Sequence, residues 1–296
     1  MPETQKKQET EEFIMSPTVD VCFKELMQNP KVRKGMVAAI MGKDPDEIES
    51  TELMPTILQQ EYADDKLGIL DVRVKLVDGT QIDVEMQNAF FAFWPNRVLF
   101  YLGKMYTGQL KEGEGYENLK QCVHVSILNF IHFPDDNICF RAISFCEEDT
   151  GKVYTDKMKI YVLELPKLPP EQKNEKGVIR WMRFLRAKSR KEFEKMAEKD
   201  EYIQEAYEEL KRMSADEKKR QEYEAREKAI RDYNTQMYSA EKRGIEAGLK
   251  IGEERGEERG LRRVATYLKE MGMSMDQIVH AVGREEDEVR KWLEEK

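Results

Sequence analysis

The chain has 296 residues, 36% of them charged and 40% hydrophobic, with a formal net charge of −9 at neutral pH. The length suits one large domain or two ordinary ones, and the absence of any apolar run of roughly 18 residues leaves no candidate membrane-spanning helix. The acidic balance argues against a generally basic nucleic-acid binder, so any grip on phosphate must come from a local patch or a bound cation.

The first dozen residues are polar and the start lacks the apolar stretch of a secretory leader, so residues 1–15 are expected to be disordered. Val19–Met41 has helical spacing, with Thr18 or Asp20 available as a cap. Asp44-Pro45-Asp46 opens a turn, and Ile57–Tyr62 reads as a short strand.

Leu67–Asn88 carries the clearest pattern. Leu70, Val72, Val74 and Leu76, then Ile82, Val84 and Met86, alternate with polar residues on either side of Asp78-Gly79, as in a half-buried hairpin. Both apolar rows must share one face. A two-residue Asp78-Gly79 loop would put Leu76 and Ile82 on opposite faces, whereas a three-residue Val77-Asp78-Gly79 loop with Gly79 left-handed satisfies the parity. In that register Val72 faces Val84 and Asp71 faces Glu85, with Cβ atoms roughly 5 Å apart. Like charges set so close are destabilising unless they are used, and a divalent cation would use them. The polar face presents Asp71, Arg73, Lys75, Asp83, Glu85 and Gln87, with Arg73 and Lys75 expected to be solvated or to pair with Asp83.

Trp94–Lys111 returns to helical spacing through Trp94, Val98, Tyr101, Leu102, Met105 and Tyr106. Val123–Phe130, Ile138–Phe145 and Lys159–Leu165 read as strands, which completes an α/β pattern around a central mixed sheet. His124 and His132 fall in apolar strand pattern and read as core or loop residues. Cys22, Cys122, Cys139 and Cys146 show no paired spacing and read as core thiols of a reducing cytoplasm.

The composition changes at Leu165–Pro170, which predicts a boundary. The organisation expected is a domain over 16–168, charged amphipathic helices over 169–243 and a glycine-stepped helix with a small helical tail over 244–296. Gly244, Gly248, Gly252, Gly256 and Gly260 recur every fourth residue. Each interior glycine costs about 1 kcal/mol relative to alanine unless close packing compensates. The stripe therefore suggests a homo-oligomer, a dimer through the C-terminal helices. Arg262–Met271, Ser274–Val282 and Glu285–Glu294 have the spacing of a helix-turn-helix, but the acidic last stretch suits bundle packing better than DNA reading.

The chemistry concentrates on the hairpin. Asp71 and Glu85, with the Met86 carbonyl, can ligate Mg²⁺ or Mn²⁺, and Gln87 lies on the same face. Asp71, then Glu85-Met86-Gln87, resembles the core of the PD-(D/E)XK nucleases. TVDVCFKELM, DDKLGILDVRVKLVDGTQIDVEMQ, RVLFYLGKMYTGQL and VLELPKL, in order, resemble the Rpn family of recombination-promoting nucleases, also described as PD-(D/E)XK transposase-like proteins. The resemblance implies a restriction-endonuclease-like α/β core and makes Asp71 and Glu85 metal ligands. Gln87 stands where the motif has lysine, and Leu70 where it has proline. The missing positive charge would come from Lys24, with Lys75 behind it. Asp20, Arg97, Tyr101 and Tyr106 are family-pattern residues, Arg97 being suited to a phosphate. DNA as substrate and a role in recombination, transposition or phage defence are implied in the same way. The resulting expectation is a cytoplasmic, Mg²⁺-dependent DNA endonuclease. The alternative is a degenerate nuclease fold that binds nucleic acid or protein through its helical half.

Overall fold

In the computed structural model, residues 13–58, 68–90 and 92–294 are described. They fall in two compact units, Met1–Ile230 and Arg231–Lys296. The first is built on a six-stranded sheet. Its strands are β1 (Thr51–Met54), β2 (Val72–Leu76), β3 (Gln81–Gln87), β4 (Cys122–Leu128), β5 (Phe140–Cys146) and β6 (Val153–Glu164), in the spatial order β1-β2-β3-β4-β6-β5. β3, β4 and β6 run parallel, and β1, β2 and β5 are antiparallel to their neighbours. Helix α3 of the unit, Trp94–Thr107, forms the crossover that parallel β3 and β4 require.

The hairpin has the register that parity demands. Val72 pairs with Val84 and Val74 with Ile82. The Leu76 and Gly79 N–H groups donate to the carbonyls of Thr80 and Leu76, each at 2.9 Å, and Gly79 has φ +87°. Lys75 is exposed, as expected, but the polar face of β3 is covered: Asp83 and Glu85 are 0% and 1% exposed. On β3 and β4, Asp83, Glu85, His124 and Ser126 share the face that α3 covers, and Ile82, Val84, Val123 and Val125 point into the main core.

Two earlier helices cover that main core. Val19–Met41 is not one helix. It divides into α1 (Asp20–Leu26) and α2 (Pro30–Met41), because Asn29 caps the second through its side-chain oxygen and Pro30 takes the first helical position. Neither Thr18 nor Asp20 caps α1. Met15 is buried, its N–H donating to Ser214 Oγ at 3.0 Å, so expected disorder does not extend to residue 15. Ile57 forms a single bridge with Ile69, and the rest of the strand expected there runs into residues outside those described. β1 has no counterpart in the sequence pattern.

After Pro169-Pro170, α4 (Gly177–Arg186), α5 (Arg190–Ala197) and α6 (Glu201–Ala215) add Trp181, Phe184, Phe193 and Leu210 to the same apolar cluster as Val84 and Val125. The two prolines thus lie inside one compact unit. α7, Glu217–Glu270, is a single helix of 54 residues. Its first turns tie to α1 and the segment before it through Lys219–Glu25, Arg226–Asp20 and a Tyr223 hydroxyl that accepts the Ser16 N–H at 3.1 Å.

In the second unit, the end of α7 packs with α8 (Met275–Val282) and α9 (Glu286–Glu294) around Ala265, Ile278, Val282, Val289 and Trp292. Ser274 and Gln277 form a capping box, and Gly283 ends α8 with φ 63°. No helix among the described residues is long and apolar enough to cross a membrane. Of the four free cysteines, Cys22 and Cys122 are core thiols as expected, but Cys139 is only partly buried and Cys146 is exposed.

Candidate active site

Asp71 and Glu85 are locked to each other through the main chain. The Asp71 N–H donates to Glu85 Oε1 at 3.1 Å, and the Met86 N–H donates to Asp71 Oδ2 at 3.2 Å. The register that sets the acids opposite each other also supplies each with a backbone donor. Three further side chains complete the cluster. From α1, Lys24 Nζ reaches Asp71 Oδ1 at 2.8 Å. From the end of β3, Gln87 Nε2 donates to Glu85 Oε2 at 2.9 Å. From the first turn of α3, Arg97 Nη2 donates to the same oxygen at 3.1 Å. Arg97 also lies over the ring of Tyr101, 5.1 Å from its centroid, as i,i+4 spacing allows.

The remaining expected residues sit differently. Asp20, one turn before Lys24, is held by Arg226 Nε of α7 at 2.7 Å. Tyr106 packs with Leu58, Leu70 and Met105 in an apolar cluster under α3. Arg73 does not bond to Asp83: its guanidinium donates to Gln81 Oε1 at 2.7 Å and to the Pro55 carbonyl at 3.4 Å.

Asp83 turns instead to a residue that the sequence pattern left in the core. Asp83 Oδ2 lies 2.7 Å from His124 Nδ1, and His124 Nε2 lies 2.7 Å from Ser126 Oγ. Parallel pairing sets Ser126 opposite Glu85 and His124 opposite Asp83. The Ser-His-Asp order resembles a hydrolase triad, but Ser126 is 0% exposed and no substrate can reach it. The trio is a buried support behind Glu85.

Burial dominates the electrostatics. It raises Glu85 to about 8, with Asp83 and Asp71 adding to the effect. It also pushes Asp83 well above the carboxylate range, with Asp71 adding to the rise, and lowers His124 to about 4. Three acids share one face, and two of them, Glu85 and Asp83, are pushed toward their protonated forms; a cation there would favour the charged carboxylates.

The donor set fits a hard divalent ion. Among the described residues no group of three or more His, Cys, Asp or Glu side chains is arranged to hold a metal, so the available carboxylates are the Asp71–Glu85 pair. A carboxylate offers about four lone-pair positions. Asp71 uses one for Lys24 and one for Met86; Glu85 uses one each for Asp71, Gln87 and Arg97. Positions remain on both. One or two carboxylates completed by water and substrate oxygens is the usual Mg²⁺ arrangement.

A family model described as PD-(D/E)XK nuclease family transposase matches residues 17–240. The match extends beyond Pro169-Pro170 into α7, as the shared core does. No curated protein and no solved structure matches the chain.

Proposed function

The chain belongs to the PD-(D/E)XK nuclease-family transposases, and from that premise we propose a Mg²⁺-dependent DNA endonuclease centred on Asp71 and Glu85. The observation that carries the reading is the reciprocal lock of the two carboxylates, with Lys24 at 2.8 Å from Asp71. Asp71, Glu85 and the Met86 carbonyl would hold the ion. When bound, it supplies acidity to a water and neutralises charge on the scissile phosphate.

The chain's own groups do the rest. Gln87 and Arg97 fix the Glu85 carboxylate in one orientation. Gln87 carries no charge, so Lys24 supplies the cation that the motif's lysine would. Its side chain is 41% exposed and within reach of a phosphate at Asp71. Arg97, 39% exposed, offers a second phosphate contact. Asp20 and Arg226 hold the α1 turn that carries Lys24, and Tyr101 backs Arg97.

The same reading places the protein in a reducing cytoplasm and in recombination, transposition or phage defence. It assigns the glycine-stepped helix and tail, residues 244–296, to pairing subunits, so that two centres address two strands. One observation favours a rival, a catalytically weak binding module: every oxygen of the Asp71–Glu85 pair already accepts a hydrogen bond. Incubation of supercoiled plasmid, and separately of RNA, with protein in Mg²⁺, Mn²⁺ or EDTA decides between the two. Nicking that requires the metal and disappears in Asp71→Ala and Glu85→Ala is expected. Nicking indifferent to both substitutions rejects the assignment.

A further inference from the structure

A cleft of about 770 Å³ opens on the sheet face that carries Asp71 and Glu85, between the hairpin and the C-terminal end of α3. In a chain where acids outnumber bases 58 to 49, the described residues of its lining include Arg73, Lys75, Lys104 and Lys120 and no acid. We propose that this cleft binds the phosphodiester backbone of a single nucleic-acid strand beside the Asp71–Glu85 centre. The proposal rests on the nuclease reading for the identity of that strand.

Two of these residues, Lys120 and Arg73, are positioned by Gln109 and Gln81. The Lys120 N–H donates to Gln109 Oε1 at 2.9 Å, and Gln109 Nε2 donates to the Lys120 carbonyl at 3.0 Å, so one side chain clamps both main-chain groups. The stem of Lys120 crosses the hairpin turn at Gly79, where a Cβ would lie 2.7 Å from Lys120 Cγ. Glycine there serves the positive φ and the lysine alike. Gln81 orients the Arg73 guanidinium through its 2.7 Å bond. Lys75 and Lys120 are exposed and make no ion pair among the described residues, so their charge is available to a ligand.

Position and size choose the ligand. Arg73 follows Asp71 by two residues on the same face, and Gln81 precedes Glu85 by four. At a strand rise of about 3.3 Å per residue, these are displacements of about 7 and 13 Å. The cleft volume lies within the range of about 300–1,000 Å³ that encloses a drug-sized ligand, which suits a short piece of one strand rather than a duplex. The clustered cations of the described lining attract the repeating charge of a phosphate backbone, and binding to such a track weakens with salt.

The test uses the full chain in EDTA, so that cleavage plays no part. Affinity for a labelled single-stranded DNA oligonucleotide, and for RNA of the same sequence, is measured from low to moderate salt. Each single-strand phosphate contact contributes about 0.7 to the slope of log affinity against log salt. Lys75→Gln with Lys120→Gln should flatten the slope by about 1.4, and Lys75→Gln alone by about half of that. The matched pair Lys43→Gln with Lys152→Gln, exposed lysines elsewhere, should leave it unchanged. Flattening with either DNA or RNA supports the cleft and identifies its strand. No binding by wild type, an unchanged slope in both cleft variants, or equal flattening in the control overturns it. Plasmid assays separate the readings: cleavage that survives Asp71→Ala counts against the metal centre, whereas lysine-independent binding counts against the cleft.

Discussion

Lys24 Nζ stands 2.8 Å from Asp71 Oδ1, and Gln87, at the motif's lysine position, donates to Glu85 instead. The cation beside Asp71 therefore comes from α1, and the one beside Glu85, Arg97, from α3; neither comes from β3. Removing a donor aimed at developing charge typically costs about 10²–10³ in turnover. Lys24→Ala should lower kcat by that order with little change in KM. Adding Gln87→Lys to Lys24→Ala should recover part of the loss, because it returns a charge to the same cluster. Plasmid nicking rates at saturating Mg²⁺ check both. A Lys24→Ala protein as fast as wild type would remove Lys24 from the centre.

The fold around that cluster depends on helices beyond Pro169-Pro170. Trp181, Phe184 and Phe193 are among the most deeply buried side chains and share a cluster with Val84 and Val125. A chain ended at residue 168 should fail to give a cooperative unfolding transition, whereas one ended at residue 230 should give one. In the full chain, Trp181→Ala should cost about 3–5 kcal/mol, the usual price of emptying a large aromatic site. Urea unfolding followed by circular dichroism measures all three. A cooperative transition for the chain ended at 168 would mean that the sheet and its first helices suffice.

What was legible in the sequence follows from which contacts are local. The Asp71–Glu85 pairing could be read because a three-residue loop and a period of two leave one register. The break at Asn29-Pro30 was equally local, yet the apolar spacing across it suggested continuity where the cap and proline in fact restart the helix. β1 spans only Thr51–Met54, too few residues for alternation to register. The Asp83–His124–Ser126 trio depends on parallel pairing across the α3 crossover, and no local pattern encodes that register. Gln109 clamping Lys120 is likewise a contact between loop residues with no spacing signature. Only the even-numbered polar residues of β4, His124 and Ser126 within an apolar run, hinted that its second face was not simply core.

The buried acids make stability fall with pH in a definite window. Glu85 moves from an ordinary value of 4.5 to about 8 in the fold, so between those values the folded state binds more protons than the unfolded one. Stability then decreases as pH rises. His124, lowered from 6.5 to about 4, acts oppositely, adding stability as pH rises up to 6.5. The two oppose each other below 6.5, which leaves pH 6.5–8 to the acids alone. Metal-free protein should lose about 1–2 kcal/mol across that window. Glu85→Gln should flatten the loss. Added Mg²⁺ should also reduce it, because a bound cation favours the carboxylate. Urea titrations in EDTA and in Mg²⁺ at several pH values test the sign, and a flat profile in EDTA would contradict it.

The glycine stripe separates two outcomes by opposite signs. Gly244, Gly248, Gly252, Gly256 and Gly260 all lie within α7, and a Cβ built on any of them meets nothing within 4 Å. Within one chain, Gly248→Leu, Gly252→Leu and Gly256→Leu should therefore be free of clash. They should stabilise the helix by roughly 2–3 kcal/mol together, since leucine is the far better helix former. If the stripe is where two copies of α7 approach closely, the same substitutions hold the helices apart and weaken the dimer. Light scattering across a dilution series, with thermal unfolding beside it, reads both effects. A wild-type dimer that dissociates in the triple variant is the expected result. A monomer in both proteins, with a higher melting temperature in the variant, would show that the glycines serve no self-contact.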